Sequence, residues 1–393
     1  MIDIKKIREE FDATAEQIAR RGVEKANIQK AKCMDLDKKC MNRRDFLAVS
    51  GMAGAAALTK CATASASAVK PEPKFVWSEL IHLGMNQWHE LTMQQKWPNV
   101  KDPVIAKAIA DEYNAADHVR FDESLWDCVS RKFKDTGVNQ IVIDLGEAVA
   151  YPSHPELAVK GSWSPDKLRG ELRRLRLMGF EPIPKLNFST THDIWLKDYH
   201  RMVSTPMYYQ VVKDLIKDVC EIFDNPRYFH LGLDEETPNF QKGQKIAIVR
   251  QGDLWWNDIL FYVKEVEKYG ARAWVWSDYL RRHEPGEFVR RMPKSVVQSP
   301  WWYIGNFDPE KNLPTKAMVR LAELGYDVVP CSSNCYSHPG AMESVVEFCR
   351  KTYDPKHVLG FQMAPWLEMN KVFKKRWFDS AEQLAASRLK WLA

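Results

Sequence analysis

The sequence predicts an α/β protein, a (β/α)8 TIM barrel, and three observations carry that reading. Eight short apolar runs recur along the body of the chain. Helix-period patterns fall between them, and strict alternation of β and α segments demands a parallel sheet. No linker rich in Gly, Pro or Ser divides the body and nothing repeats at fixed period, so one barrel domain is expected. At 393 residues, with 45% hydrophobic and 28% charged, the chain can bury a sizeable core.

The runs follow in order at 75–86, 138–145, 181–188, 228–233, 271–277, 296–302, 327–332 and 358–364. Each has the length and apolar content of a strand buried on both faces. The helical patterns between them cover 124–136, 164–178, 208–223, 253–269, 315–324 and 341–351, and 381–392 closes the chain. The segment at 164–166 reads Ser-Pro-Asp, a capping residue followed by Pro at the first helical turn. Between the fifth and sixth runs only a short helix, 286–292, has room to form.

The front end has a different composition. Residues 1–68 hold 13 of the 57 Lys and Arg and 9 of the 52 Asp and Glu, leaving 44 against 43 in the body. A near-neutral body excludes an electrostatic case for nucleic acid. Met41-Asn42-Arg43-Arg44-Asp45-Phe46-Leu47 has the twin-arginine form. The apolar segment 46–58 after it is too short to span a membrane and suits a signal-peptide core. Small-residue cleavage sites follow at 62–68. The expected organisation is a polar extension over 1–40, a twin-arginine signal over 41–68 and the barrel over 69–393. Met41 is then the expected true start, with Lys60 unfavourable for lipid attachment at Cys61. The expected destination is periplasmic or extracellular, reached through the twin-arginine export machinery, with no stable membrane span in the mature protein. Five irregularly spaced cysteines in the body do not form a disulfide framework, and Cys331 and Cys335 read as buried thiols.

A barrel builds its site at the C-terminal ends of its strands. Those ends carry Asn86 to Glu90, Asp144 and Glu147, Asn187 with His192 and Asp193, Asp234 and Glu235, Trp276 to Asp278, Trp301 and Trp302, Asn334 and Tyr336, and Trp366 with Glu368. Indoles at several mouths offer flat apolar faces with one N–H donor, which suits a sugar ring. The fourth run is the centre of the pattern: Tyr228, Phe229, Leu231 and Leu233 lead into Asp234-Glu235-Glu236 without a spacer. Carboxylates beside a core are costly unless paired, hydrogen-bonded or used. Glycosidases need two carboxyl groups, and the seventh run offers none at its end, so a double-displacement pair is hard to assemble. The adjacent acids suggest substrate assistance: Glu235 protonates the leaving oxygen while Asp234 orients an acetamido group that serves as nucleophile. Two acids sharing a poorly hydrated pocket disfavour simultaneous ionisation, as a proton donor near neutral pH requires. His82, His89, His192 and His230 form no H-x-H or H-E-x-x-H motif, so no metal and no other cofactor is expected.

The run His230-Leu231-Gly232-Leu233-Asp234-Glu235 resembles the H-x-G-x-D-E signature of family 20 glycoside hydrolases, the β-N-acetylhexosaminidases. Pro184 to Asn187 with His192 is similar to that family's third-strand stretch, Trp274 to Asp278 to its fifth-strand W-x-D, and Gly360 to Gln362 with Trp366-Leu367-Glu368 to its final strand. The resemblance implies Glu235 as general acid, Asp234 as the acetamido-orienting carboxylate, Tyr336 as donor to the acetamido group, and Trp366 with Glu368 in the sugar-binding wall. His192, Trp276, Asp278 and Trp302 complete the expected substrate contacts. The departures are Leu83-Gly84-Met85-Asn86 where the family brings an Arg, Lys185 and Asn187 in place of Glu and Asp, and Leu233 in place of a second Gly. Two further readings stay open: a non-catalytic carbohydrate-binding barrel and a glycosidase for sugars without an acetamido group.

Overall fold

The computed structural model describes residues 75–96, 100–335 and 340–393. The extension over 1–40, the twin-arginine segment over 41–68 and Tyr336 lie outside the described residues. Eight strands form one sheet: β1 (Val76–His82), β2 (Gln140–Asp144), β3 (Glu181–Lys185), β4 (Tyr228–His230), β5 (Arg272–Trp276), β6 (Val297–Ser299), β7 (Cys331–Ser332) and β8 (Gly360–Met363). Every strand lies within one of the apolar runs. The order is β6-β5-β4-β3-β2-β1-β8-β7 with all pairings parallel. Isolated parallel bridges, Gln298 to Val328 and Trp301 to Cys331, join the two edges. The result is a nearly closed (β/α)8 barrel, which leaves little strand edge unpaired.

The helices are α1 (Pro103–Glu112), α2 (Glu123–Asp135), α3 (Pro165–Leu177), α4 (Pro206–Ile222), α5 (Gly252–Glu267), α6 (Tyr279–Arg282), α7 (Pro285–Arg291), α8 (Leu313–Leu324), α9 (Ala341–Thr352) and α10 (Lys374–Leu392). Ser164 caps α3 and Thr205 caps α4, each with Pro in the first turn. The short helix expected over 286–292 forms as α7, and α6 is an additional turn before it, with Glu284 extended ahead of Pro285 between the two. α1 lies where no helix was anticipated, inside the long connection from β1 to β2. Asp102 accepts from Val104 N and Ile105 N to start it, and its C-cap is Tyr113, a residue of the site below. α10 begins at Lys374, seven residues ahead of the expected start. Among the described residues no helix is long and apolar enough to cross a membrane.

Side-chain alternation divides the core in two. Val76, Leu80, Val142, Ile183, Tyr228, Trp274, Trp276 and Val297 fill the barrel interior. Trp77, Ile81, Ile141, Ile143, Phe229 and Val275 face the helices. The register aligns His82, Asp144, Lys185 and His230 in one row across four adjacent strands. All four are buried, and Lys185 donates to Asp144, with His82 Nδ1 at 3.4 Å from the same carboxylate. An interior ion pair is expensive to desolvate and therefore marks the end of the barrel where polar chemistry is concentrated. Cys331 and Cys335 are buried thiols not joined to one another.

Candidate active site

The turn after β4 is assembled by the loop after β3. Gly232 has φ +74°, and a Cβ there would lie 1.8 Å from Asn187 Oδ1, so only glycine fits. Asn187 Oδ1 accepts from Leu233 N (3.2 Å) and Ser189 N (3.0 Å), while its Nδ2 donates to Asp234 Oδ1 at 3.0 Å. Ser189 Oγ donates to the carbonyl of Asp234 and Thr191 Oγ1 to that of Glu235 (2.8 Å). Thr190 N donates to Glu236 Oε1 at 3.1 Å. Leu233 (φ +73°) and Glu235 (φ +58°) both occupy the left-handed region. Such residues cost of order 1–3 kcal/mol each and persist where surrounding bonds over-determine them, as these do.

The three acids of this turn have separate fates. Glu236 is structural: it pairs with buried Arg250, which also donates to Asp258 Oδ2 (3.0 Å), Tyr262 Oη (2.7 Å) and Phe188 O (2.9 Å). Asp234 and Glu235 instead reach a cavity of about 210 Å³ whose walls include Trp88, Tyr113, Trp276, Trp301, Tyr303 and Trp366. His192 stands between them, its Nε2 3.3 Å from Asp234 Oδ2 and 3.2 Å from Glu235 Oε2. Burial disfavours the charged imidazole, but the Asp234 and Glu235 carboxylates outweigh it and lift His192 to about 10. Burial likewise opposes ionisation of Asp234, yet His192, Lys185 and the Asn187 amide hold it well below the usual carboxylate range. At neutral pH the turn therefore presents a fixed carboxylate bonded to an imidazolium. His192, Asp234 and Glu235 each offer a ligand atom within 4.8 Å of the others. A cation there would first have to displace the His192 proton, which the Asp234 carboxylate retains.

Of the other residues expected to touch substrate, Trp276 and Trp366 line the cavity and pack 5.8 Å apart, ring centre to ring centre. Their indole nitrogens are buried without a partner among the described residues. Trp366 has φ +57°, a third left-handed residue at this site. Glu368 lies off the cavity, its Oε1 accepting from Asn370 Nδ2 at 2.7 Å and its Oε2 3.7 Å from Arg120. Trp302 points away and donates to Asn306 O at 2.8 Å. Trp301 and Tyr303 take that position. Strand alternation explains the exchange: Val297 faces the barrel interior, so 299, 301 and 303 share its side and 302 does not. Tyr113 Oη donates to Trp366 O at 2.6 Å, and Trp88 meets Tyr113 edge-on at 4.4 Å. Neither Trp88 nor Tyr113 had a sequence signal beyond its place after the first run.

Asp278 stands behind Glu235, on the side away from the cavity. Its Oδ2 accepts from Glu235 N (3.2 Å) and its Oδ1 from Trp301 Nε1 (2.7 Å), with Arg281 at 3.5 Å. It is thus a positioning residue, tying the left-handed backbone of Glu235 to an indole of the cavity wall. Burial, with Asp234 and Glu235 nearby and Arg281 opposing, raises its pKa to about 6. An acid with a raised folded pKa stabilises the fold below its unfolded pKa and loses that contribution as pH rises through the folded value. Asp278→Asn should therefore leave stability unchanged below about pH 4 and raise it above about pH 6, by up to about 3 kcal/mol. The same variant should lower kcat at pH 7.5, since one amide oxygen replaces two carboxylate acceptors. Thermal melts of both proteins across pH 4–8, with rates at pH 7.5, check this; a stability difference independent of pH would contradict it.

The family model described as glycosyl hydrolase family 20, catalytic domain, matches residues 178–385, more than half of the chain. The chain belongs to glycosyl hydrolase family 20 and carries that family's catalytic barrel. Among solved structures it is similar to the exo β-N-acetylglucosaminidase of Vibrio harveyi in complex with N-acetylglucosamine, at 14% identity and a TM-score of 0.53. That alignment covers 81% of this chain and 57% of the other. A mutant β-hexosaminidase of Streptomyces plicatus in complex with its product GlcNAc gives 12% identity and a TM-score of 0.51, covering 81% and 68%. The β-N-acetylhexosaminidase of Bacteroides fragilis gives 16% and 0.50, covering 79% and 66%. At these identities the likeness is one of fold. No curated protein matches the sequence.

Proposed function

We propose that the protein hydrolyses β-linked N-acetylhexosaminides with retention of configuration, using the substrate's own acetamido oxygen as nucleophile. The observation that carries the reading is the pairing of Asp234 and Glu235 across His192 at an indole-lined cavity. In the first step the acetamido oxygen forms a bond to C1 as the bond from C1 to the leaving oxygen breaks. Glu235 gives that oxygen its proton, and Asp234 accepts the amide N–H whose positive charge grows as the ring closes. In the second step Glu235 takes a proton from water, which attacks C1 and reopens the ring. Anchoring of Asp234 by Asn187 and His192 favours the carboxylate that the first step requires.

The structural relatives described above are N-acetylglucosaminidases and hexosaminidases, which supports an N-acetylhexosamine substrate. Where other members of the family bring an Arg from the first strand, we assign sugar-hydroxyl recognition to His89 and Gln95, with the rings of Trp276 and Trp366 as the apolar wall. Tyr336 is assigned the acetamido oxygen on the resemblance alone, and export through the twin-arginine signal remains part of the same proposal. The test is the rate on two aryl β-glucosides that differ only in carrying 2-acetamido or 2-hydroxyl. The acetamido substrate should turn over at least about 10³-fold faster, as loss of an intramolecular nucleophile demands. Equal rates would point to a glycosidase for plain hexosides, and no turnover of either to a sugar-binding barrel.

A further inference from the structure

Glu235 is a wall between two cavities. The second, of about 130 Å³, shares Glu235 and Phe240 with the sugar pocket and opens on the far side of the acid. A general acid must stand beside the oxygen it protonates, so the space beyond it receives the leaving group; this inference rests on the function proposed above. The exposed aromatic surface of this cavity is Phe240 and the outer face of His283, whose other face stacks on Tyr279 at 4.1 Å with 15° between the planes. Flat faces of this kind suit a ring.

Four basic side chains reach this cavity, and three are committed. Arg250 is saturated by Glu236, Asp258, Tyr262 and Phe188 O. Arg281 lies over Trp301 at 3.5 Å, donates to its carbonyl and faces Asp278. His283 Nδ1 is bonded to Tyr279 O at 3.0 Å. Arg282 makes no hydrogen bond or ion pair among the described residues, although it lines the cavity. The acids present are no competitors, since Glu236 belongs to Arg250 and Asp278 to Glu235, Trp301 and Arg281.

We propose that this cavity is a leaving-group subsite for an acidic sugar, with Arg282 pairing to its carboxylate or sulfate. The guanidinium fork matches either group, and the exposed aromatic surface carries the ring. The test uses three disaccharides with the same N-acetylglucosaminyl group β-linked to glucose, glucuronic acid or 6-sulfated glucose, together with an aryl N-acetylglucosaminide. The full-length protein should favour at least one acidic disaccharide over the neutral one in kcat/KM by about fivefold at low salt, the size of a partly screened ion pair. That ratio should shrink at 0.5 M NaCl and fall to near one in Arg282→Gln. Cleavage of the aryl and neutral substrates with no preference for either acid would overturn the subsite while leaving the hydrolase reading intact. A preference that survives Arg282→Gln would also overturn it. Failure to cleave even the aryl substrate would count against the function itself.

Discussion

Glu235→Gln should lower kcat/KM by about 10³-fold on an N-acetylhexosaminide with an alkyl or sugar leaving group, within the usual range for loss of a general acid. On an aryl substrate whose phenol departs without help, the loss should be far smaller. The reason is local: Glu235 reaches the cavity from a backbone conformation held by Thr191 and Asp278, so the amide occupies the same place and only the proton is missing. A comparable loss on both substrates would indicate that the variant disturbs the turn rather than the chemistry. Slow, burst-like turnover of the aryl substrate would locate the remaining deficit in the second step, where the same residue must accept a proton from water.

Asp234→Asn is expected to slow both kinds of substrate, by about 10²–10³-fold, because charge stabilisation of the closing ring is needed whatever the leaving group. The variant carries a second readout. Asp234 is the foremost of the two carboxylates that hold His192 up at about 10. Removing its charge should move the His192 pKa down towards the ordinary imidazole value, visible as a shift in the proton resonances of that ring with pH. An unchanged His192 titration would mean that Glu235 alone holds the imidazolium, and the coupled arrangement would have to be redrawn. The two variants thus separate proton delivery from charge stabilisation by their dependence on leaving group.

The barrel was legible because each strand is a short apolar run, and eight of them alternating with amphipathic segments admit few other arrangements. The acid pair was legible for a related reason: Asp234-Glu235-Glu236 follows Leu231 and Leu233 with no turn residues between core and charge. Less visible was the division of labour among the three acids. Glu236 is taken by Arg250, 14 residues further on, and no local pattern announces that pairing. Asp278 has the sequence context of a substrate contact, yet folding turns its carboxylate towards the Glu235 backbone. Trp301, not the expected Trp302, lines the cavity because strand alternation from Val297 selects 301 and 303. Glu368 follows Trp366, whose left-handed backbone redirects the chain before the carboxylate is reached. α1 has a local start signal in Asp102-Pro103, but nothing local announces that its C-cap, Tyr113, reaches the cavity.

Strain at the site is consistent with this division. Leu233, Glu235 and Trp366 all lie in the left-handed region, at the mouths of β4 and β8. Leu233 N donates to Asn187 and Glu235 N to Asp278, while Thr191 donates to the carbonyl of Glu235, so the loop after β3 supports the turn that carries both acids. The departure of Asn187 from the acid common in the family then has a physical meaning. An amide can donate to Asp234 and accept from the backbone at once, which a carboxylate at that position cannot do.

The most direct measurement concerns the nucleophile. A series of aryl 2-acylamido-β-glucosides, from acetyl through mono-, di- and trifluoroacetyl, weakens the carbonyl oxygen stepwise while leaving the sugar and the leaving group unchanged. Attack by that oxygen on C1 predicts a steep fall in kcat/KM with each fluorine, reaching several orders of magnitude at trifluoroacetyl. Rates insensitive to fluorination would contradict it, and would assign the bond to C1 to a group of the protein or to water.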